Sequence, residues 1–140
     1  MSAEENKAVL HRLAEEIFNK GNISVVDEII APDYVFHGPV GMEYKGPEGF
    51  KQMVTMYRNA FPDLHMTVED MVAEGDKVAQ RITIRGTHKG ELMGIAPTGK
   101  QVTDTGIIIV RFAGGKEVEA WGITDLLGMM QQMGVAPPMG

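Results

Sequence analysis

The hydrophobic pattern at the start of the chain is helical. Ser2-Ala3-Glu4-Glu5 has the form of a capping box, in which serine and glutamate side chains satisfy otherwise orphan N–H groups. Leu10, Leu13, Ala14 and Ile17 then recur at helical spacing, while Arg12, Glu15 and Glu16 take other faces. The spacing predicts an amphipathic helix over 2–20, ended by Gly21. A shorter helix is predicted over 23–30, stopped because Pro32 disfavours helical geometry at Ala31. A third begins near Pro47 and carries Phe50, Met53, Val54, Tyr57 and Phe61 on one stripe until Pro62 closes it.

From Leu64 the pattern becomes strand-like. Three or four runs are separated by Glu74-Gly75-Asp76-Lys77, by the loop 90–100 and by Ala113-Gly114-Gly115-Lys116, the first and last of these being hairpin turns. A last short helix follows Asp125, with Leu126, Met129, Met130 and Met133 at helical spacing, and the tail 135–140 is expected to fray. Helices followed by antiparallel strands predict an α+β fold, with helices packed on one face of a curved sheet. No repeat or linker interrupts the 140 residues, so one domain is expected.

Composition narrows the function. Absence of cysteine excludes disulfides and thiolate chemistry. The net charge of −6, without a dense Lys/Arg cluster, argues against nucleic acid. The N-terminus MSAEENKAVLHRL lacks the basic and apolar regions of a signal peptide, so a cytoplasmic protein without a membrane partner is expected. The stretch GIAPTGKQV has the Gly-x4-Gly-Lys spacing of a phosphate-binding loop. Gln101 follows the lysine where a hydroxyl is needed, and the β-branched run after it contains no helix to receive phosphate.

No two of His11, His37, His65 and His88 have metal-ligand spacing, so no metal site is expected. His11 and His65 read as solvated or boundary side chains, whereas His37 and His88 sit beside glycines at element ends, where side chains can line a cavity mouth. Asp104 is expected at a water-facing strand edge. Asp125 falls between a strand and the last helix. Strict alternation puts it on the face of Trp121 and Ile123 unless a bulge at Gly122 breaks the parity, and helix cap and pocket group both remain open for it.

The segments NKGNISVVDEIIAPDYVFH, GPEGFKQMVTMYRNAFPDL, RGTHKGELMGIAPTGKQVTDTG and RFAGGKEVEAWGITDLLGMMQQMG resemble the SnoaL-like polyketide cyclases across nearly the whole chain. The resemblance implies the cone-shaped α+β barrel shared with nuclear transport factor 2, enclosing an apolar pocket for a small-molecule ligand, with Phe18, Phe50, Val54, Tyr57, Met93, Ile95 and Trp121 as its expected lining. It makes GIAPTGK a pocket-rim loop. It also gives Asp125 the place of an acid/base aspartate for intramolecular aldol ring closure without a cofactor, with His37 and His88 as candidates to bind or polarise a carbonyl oxygen. Relatives are often dimers or larger, so a homo-oligomer is expected.

Other readings fit less well. The Arg-x-Asp of the related epoxide hydrolases would need arginine where Val102 stands, and the ketosteroid isomerase pair maps onto Ala14 and Gly38. A non-catalytic binding protein for an apolar small molecule is the alternative, because a fold does not fix a function.

Overall fold

The computed structural model describes residues 2–135. Helix α1 spans Ala3–Arg12, with the capping box closed in both directions between Ser2 and Glu5. It continues as π-helical turns over Leu13–Asn19, burying Leu13, Ala14, Ile17 and Phe18. The run ends where expected, at Gly21, whose φ of 73° suits glycine. The Arg58 guanidinium reaches the end of this helix and donates to the Phe18 and Asn19 carbonyls at 2.5 and 3.3 Å. The predicted second helix is a 3-10 turn, Ile23–Val25, followed by α2, Val26–Ile29.

The sequence pattern overlooks a strand. β1, Ile30–His37, follows α2 directly and buries Ile30, Tyr34 and Phe36, while β2, Glu43–Lys45, pairs with it antiparallel. α2 stops ahead of Pro32 as predicted, but the chain is extended from Ile30 onward, with Pro32 inside β1. α3, Gly46–Ala60, has proline in its first turn and Phe50, Met53, Val54 and Ala60 buried. Four strands follow: β3 His65–Glu74, β4 Lys77–Thr87, β5 Gln101–Ala113 and β6 Lys116–Thr124. Both predicted hairpins form, pairing Glu74 with Lys77 and Ala113 with Lys116. α4, Leu126–Gln132, completes the described chain. Of the expected frayed tail, residues 136–140 lie outside the described residues.

The six strands form one sheet in the order β2-β1-β6-β5-β4-β3. Its pairs are antiparallel except β1 with β6, which run parallel. A parallel pair needs a long connection, and here it is everything from the Pro39–Gly41 turn and β2 through β5. The expectation of helices first and strands afterwards is therefore corrected, since β1 and β2 precede α3, while the α+β class holds. The inner face of the sheet closes on α3 and the first helix, and the core cluster runs from Leu10 to Met133. Burying Phe50, Met53 and Val54 contributes about 1.5–3 kcal/mol each.

Candidate functional site

Alternation along β5 turns Val102, Asp104, Ile108, Val110 and Phe112 inward and leaves Thr103, Thr105, Ile107 and Ile109 outside. On β6 the register shifts opposite Arg111 and Phe112, so Glu117, Ala120 and Gly122 are all buried on the inner side. Between these faces and α3 lies a cavity of about 70 Å³. Phe18, Phe50, Met53 and Tyr57 line it from the helical side and Ile82, Ile108 and Val110 from the sheet. Pro39 and Met42 flank it from the turn after β1. Its polar lining comes from Tyr34, Tyr44, Tyr57, Gln80, Glu117 and Thr124.

Asp104 stands behind this lining, 4% exposed, in a small void bounded by Tyr57, Phe61, Ile84 and Met129. Tyr57 and Ile84 are shared with the main cavity, as walls between the two spaces. Burial first, and then the charge of Asp125, push the Asp104 carboxyl up to about 6, although the Thr124 side chain hydrogen-bonds to it. Asp104 Oδ1 has no hydrogen-bond partner among the described residues. Burial, and after it the charge of Asp104, push Tyr57 up to about 12, so its hydroxyl stays a donor at neutral pH. At another part of the cavity burial pushes Glu117 up to about 8. Tyr34 is raised well above the ordinary tyrosine value by its own burial and by the charge of Glu117.

The expected site residues divide. Phe18, Phe50 and Tyr57 line the cavity, whereas Val54 is fully buried in the core cluster without lining it. Trp121 belongs to the other side of the sheet, beside Ile107, Ile109 and Ile123 around an open surface depression. Asp125 lines that same outer depression, and its Oδ1 accepts from Gly128 N–H at 2.9 Å as the N-cap of α4. Alternation does put Asp125 on the face of Trp121 and Ile123, but that face is the exterior. Asp104, expected at a water-facing edge, is the buried aspartate instead.

Both histidines lie outside the cavity lining. His37 Nε2 lies 2.9 Å from Glu119 Oε2 and Nδ1 lies 3.4 Å from Glu43 Oε2, with the ring stacked on Trp121. The hydrogen bond from His37, and then that from Arg111, holds the Glu119 carboxyl below the usual carboxylate range. His88 is fully buried against Phe61 and pins the loop: its N–H donates to the Lys100 carbonyl, its carbonyl accepts from Gly99, and Nδ1 accepts from Thr98 N–H. Leu92 is buried in the core, Ile95 packs against it, and Met93, at φ 49°, sits in the tight turn between them. None of these loop residues lines the cavity, which corrects the rim expectation for Met93 and Ile95. Gln101 opens β5 rather than a helix, in keeping with the exclusion of a phosphate loop.

Sequence reasoning did not single out Glu117, Gln80, Tyr34 or Thr124. Simple alternation would place Glu117 with Glu119 and Trp121 on the outer face, and only the register shift turns it inward.

Comparison with known proteins agrees with this architecture. The description "SnoaL-like polyketide cyclase" matches residues 8–133. The nogalonic acid methyl ester cyclase of Streptomyces nogalater is 31% identical over 121 residues, covering 84% of this chain and 89% of its own. An aklanonic acid methyl ester cyclase of Streptomyces peucetius is 30% identical over 128 residues, covering 89% of this chain and 88% of its own. Among solved structures, wild-type IdmH from Streptomyces antibioticus superposes with a TM-score of 0.80 at 36% identity, covering 93% of this chain and 99% of its own. The chain belongs to the SnoaL-like polyketide cyclase family.

Proposed function

We propose that the protein closes a ring in an apolar polyketide-type small molecule by intramolecular aldol addition, with Asp104 as the acid/base. The observation that carries this reading is a buried carboxyl, poised at about 6 and one oxygen short of a partner, beside an apolar cavity. As carboxylate, Asp104 takes the proton from the activated carbon. The resulting enolate carbon bonds to a second carbonyl carbon, whose C=O π pair becomes an alkoxide, and that alkoxide recovers the proton from Asp104. Tyr57 donates its O–H to a carbonyl oxygen and so favours charge developing there. Thr124, which lines the cavity and bonds to Asp104, holds the carboxyl in place. The balance consumes no redox equivalent and needs no cofactor. The role that the family resemblance gave Asp125 passes to Asp104, with Asp125 as the charge that helps hold its proton.

At about 70 Å³ the cavity is smaller than the few hundred Å³ of a typical ligand pocket, so substrate entry requires the walls to move. Tyr57 and Ile84, which stand between Asp104 and the cavity, are the walls whose movement would bring the carboxyl to the substrate. On the exterior, Ile107 faces Ile123 and Ile109 faces Trp121 across β5 and β6, giving a continuous exposed apolar patch that suits a second copy of the chain.

The test is turnover of nogalonic and aklanonic acid methyl esters, the compounds named for the relatives, followed by chromatography of ring-closed product. Product formation lost in Asp104→Asn supports the cyclase. Tight binding of either ester without turnover supports the non-catalytic binding protein instead, a reading favoured by the wall that separates Asp104 from the main cavity.

A further inference from the structure

Five buried side chains carry a polar atom without a hydrogen-bond partner among the described residues: Asn6, Gln80, His88, Asp104 and Glu117. Asn6 and His88 lie away from the cavity walls, and Asp104 stands behind them. Gln80 and Glu117 are different, because both line the cavity itself. They are 5% and 2% exposed, and the unpartnered atoms are Gln80 Oε1 and Glu117 Oε2. Gln80 is on β4 opposite Ile108, and Glu117 is on β6 opposite Phe112, so the two sit on separate strands and at different levels of one apolar enclosure.

Nothing in the aldol steps calls for either residue. A buried oxygen without a partner is costly, and natural cores keep few of them. Two in the walls of one cavity point to partners that arrive with a ligand.

We infer that Gln80 and Glu117 form a recognition subsite for uncharged oxygen groups on the ligand, Gln80 accepting from a hydroxyl and Glu117 donating to a carbonyl. The inference deepens the proposed function by naming the substrate class at the cavity: an apolar skeleton with both a hydroxyl and a carbonyl. Burial keeps the Glu117 proton in place near neutral pH, as the donor role requires. Among the described residues no lysine or arginine lines the cavity, so an anionic group would meet no counter-charge from them.

Binding, rather than turnover, tests the subsite. Calorimetry would compare hydroxyacetonaphthone, which has both oxygen groups, with ethylnaphthalene, which has neither. The wild-type protein should prefer the first by about tenfold or more, the scale of one good hydrogen bond to a buried polar group. Gln80→Met and Glu117→Met should each reduce the preference several-fold while ethylnaphthalene binds as before. Glu117→Gln, which keeps an N–H donor, should retain part of it. An unchanged preference in both methionine variants overturns the subsite, as does a wild-type protein that binds the probes equally. Failure of the wild-type protein to bind either probe overturns the subsite and the cavity together. Full turnover by Asp104→Asn would sink the aldol mechanism and leave the subsite standing.

Discussion

Asp125 N–H donates to the Thr105 carbonyl at 2.9 Å, which sets its carboxylate on the outer face of the sheet beside Asp104 on the inner one. The exposed aspartate raises the proton affinity of the buried one. Rate should therefore rise with pH through about 6 as Asp104 becomes the base. Asp125→Asn removes a negative neighbour, lowers the Asp104 pKa and moves that limb of the kcat/KM profile to lower pH. Asp104→Asn should cut turnover by about a hundredfold or more, the scale of a general acid/base. An Asp125→Asn profile superimposable on the wild type would break the coupling.

Asp125 is also the cap of α4. Asp125→Ala should lower stability by about 1 kcal/mol, whereas Asp125→Asn should be nearly neutral, because asparagine accepts the same N–H. Denaturant unfolding of the two variants side by side measures the difference.

Glu117 gives stability a pH dependence opposite to that of a salt-bridged carboxylate. Its folded pKa is raised from 4.5 to about 8, so its contribution is fully present below 4.5 and is lost as pH rises to about 8. Above about 7, past the Asp104 midpoint near 6, the further fall in stability toward pH 8 comes mainly from Glu117. Glu117→Gln should flatten this segment of the curve. Equal slopes for wild type and variant, from chemical unfolding across the range, would contradict the buried protonated state.

Val40 occupies the left-handed region at φ 52°, ψ 32°, with its side chain 80% exposed. A β-branched residue there is strained by about 1–2 kcal/mol. Val40→Gly should raise Tm, with a net gain of about 0.5–1 kcal/mol after the entropic cost of glycine. Differential scanning calorimetry reads the sign directly.

The outer patch predicts self-association. Ile123→Lys, at a position 76% exposed, should shift the protein toward monomer in analytical ultracentrifugation without unfolding it. A monomeric wild type would remove the second copy from the proposal.

Sequence alone determined the features carried by local chemistry. The capping box at Ser2, the stop at Gly21, the α3 stripe from Phe50 to Tyr57 and the hairpins at Gly75 and Gly114-Gly115 each rest on a few neighbouring residues with defined backbone preferences. The family resemblance rests on the sequence in the same way. Which carboxylate is buried was decided only by tertiary structure. β5 carries apolar residues on both faces, Ile108 and Val110 inside and Ile107 and Ile109 outside, so period two could not say whether Asp104 faced core or water. Glu117 points inward through a register shift against β5 that leaves no mark in the residues around it. β1 became a strand because β6, some eighty residues further along the chain, offers it a parallel partner, Phe36 against Ala120. Such pairing is set by the closing of the whole sheet around α3, a long-range event that no local window of the sequence contains.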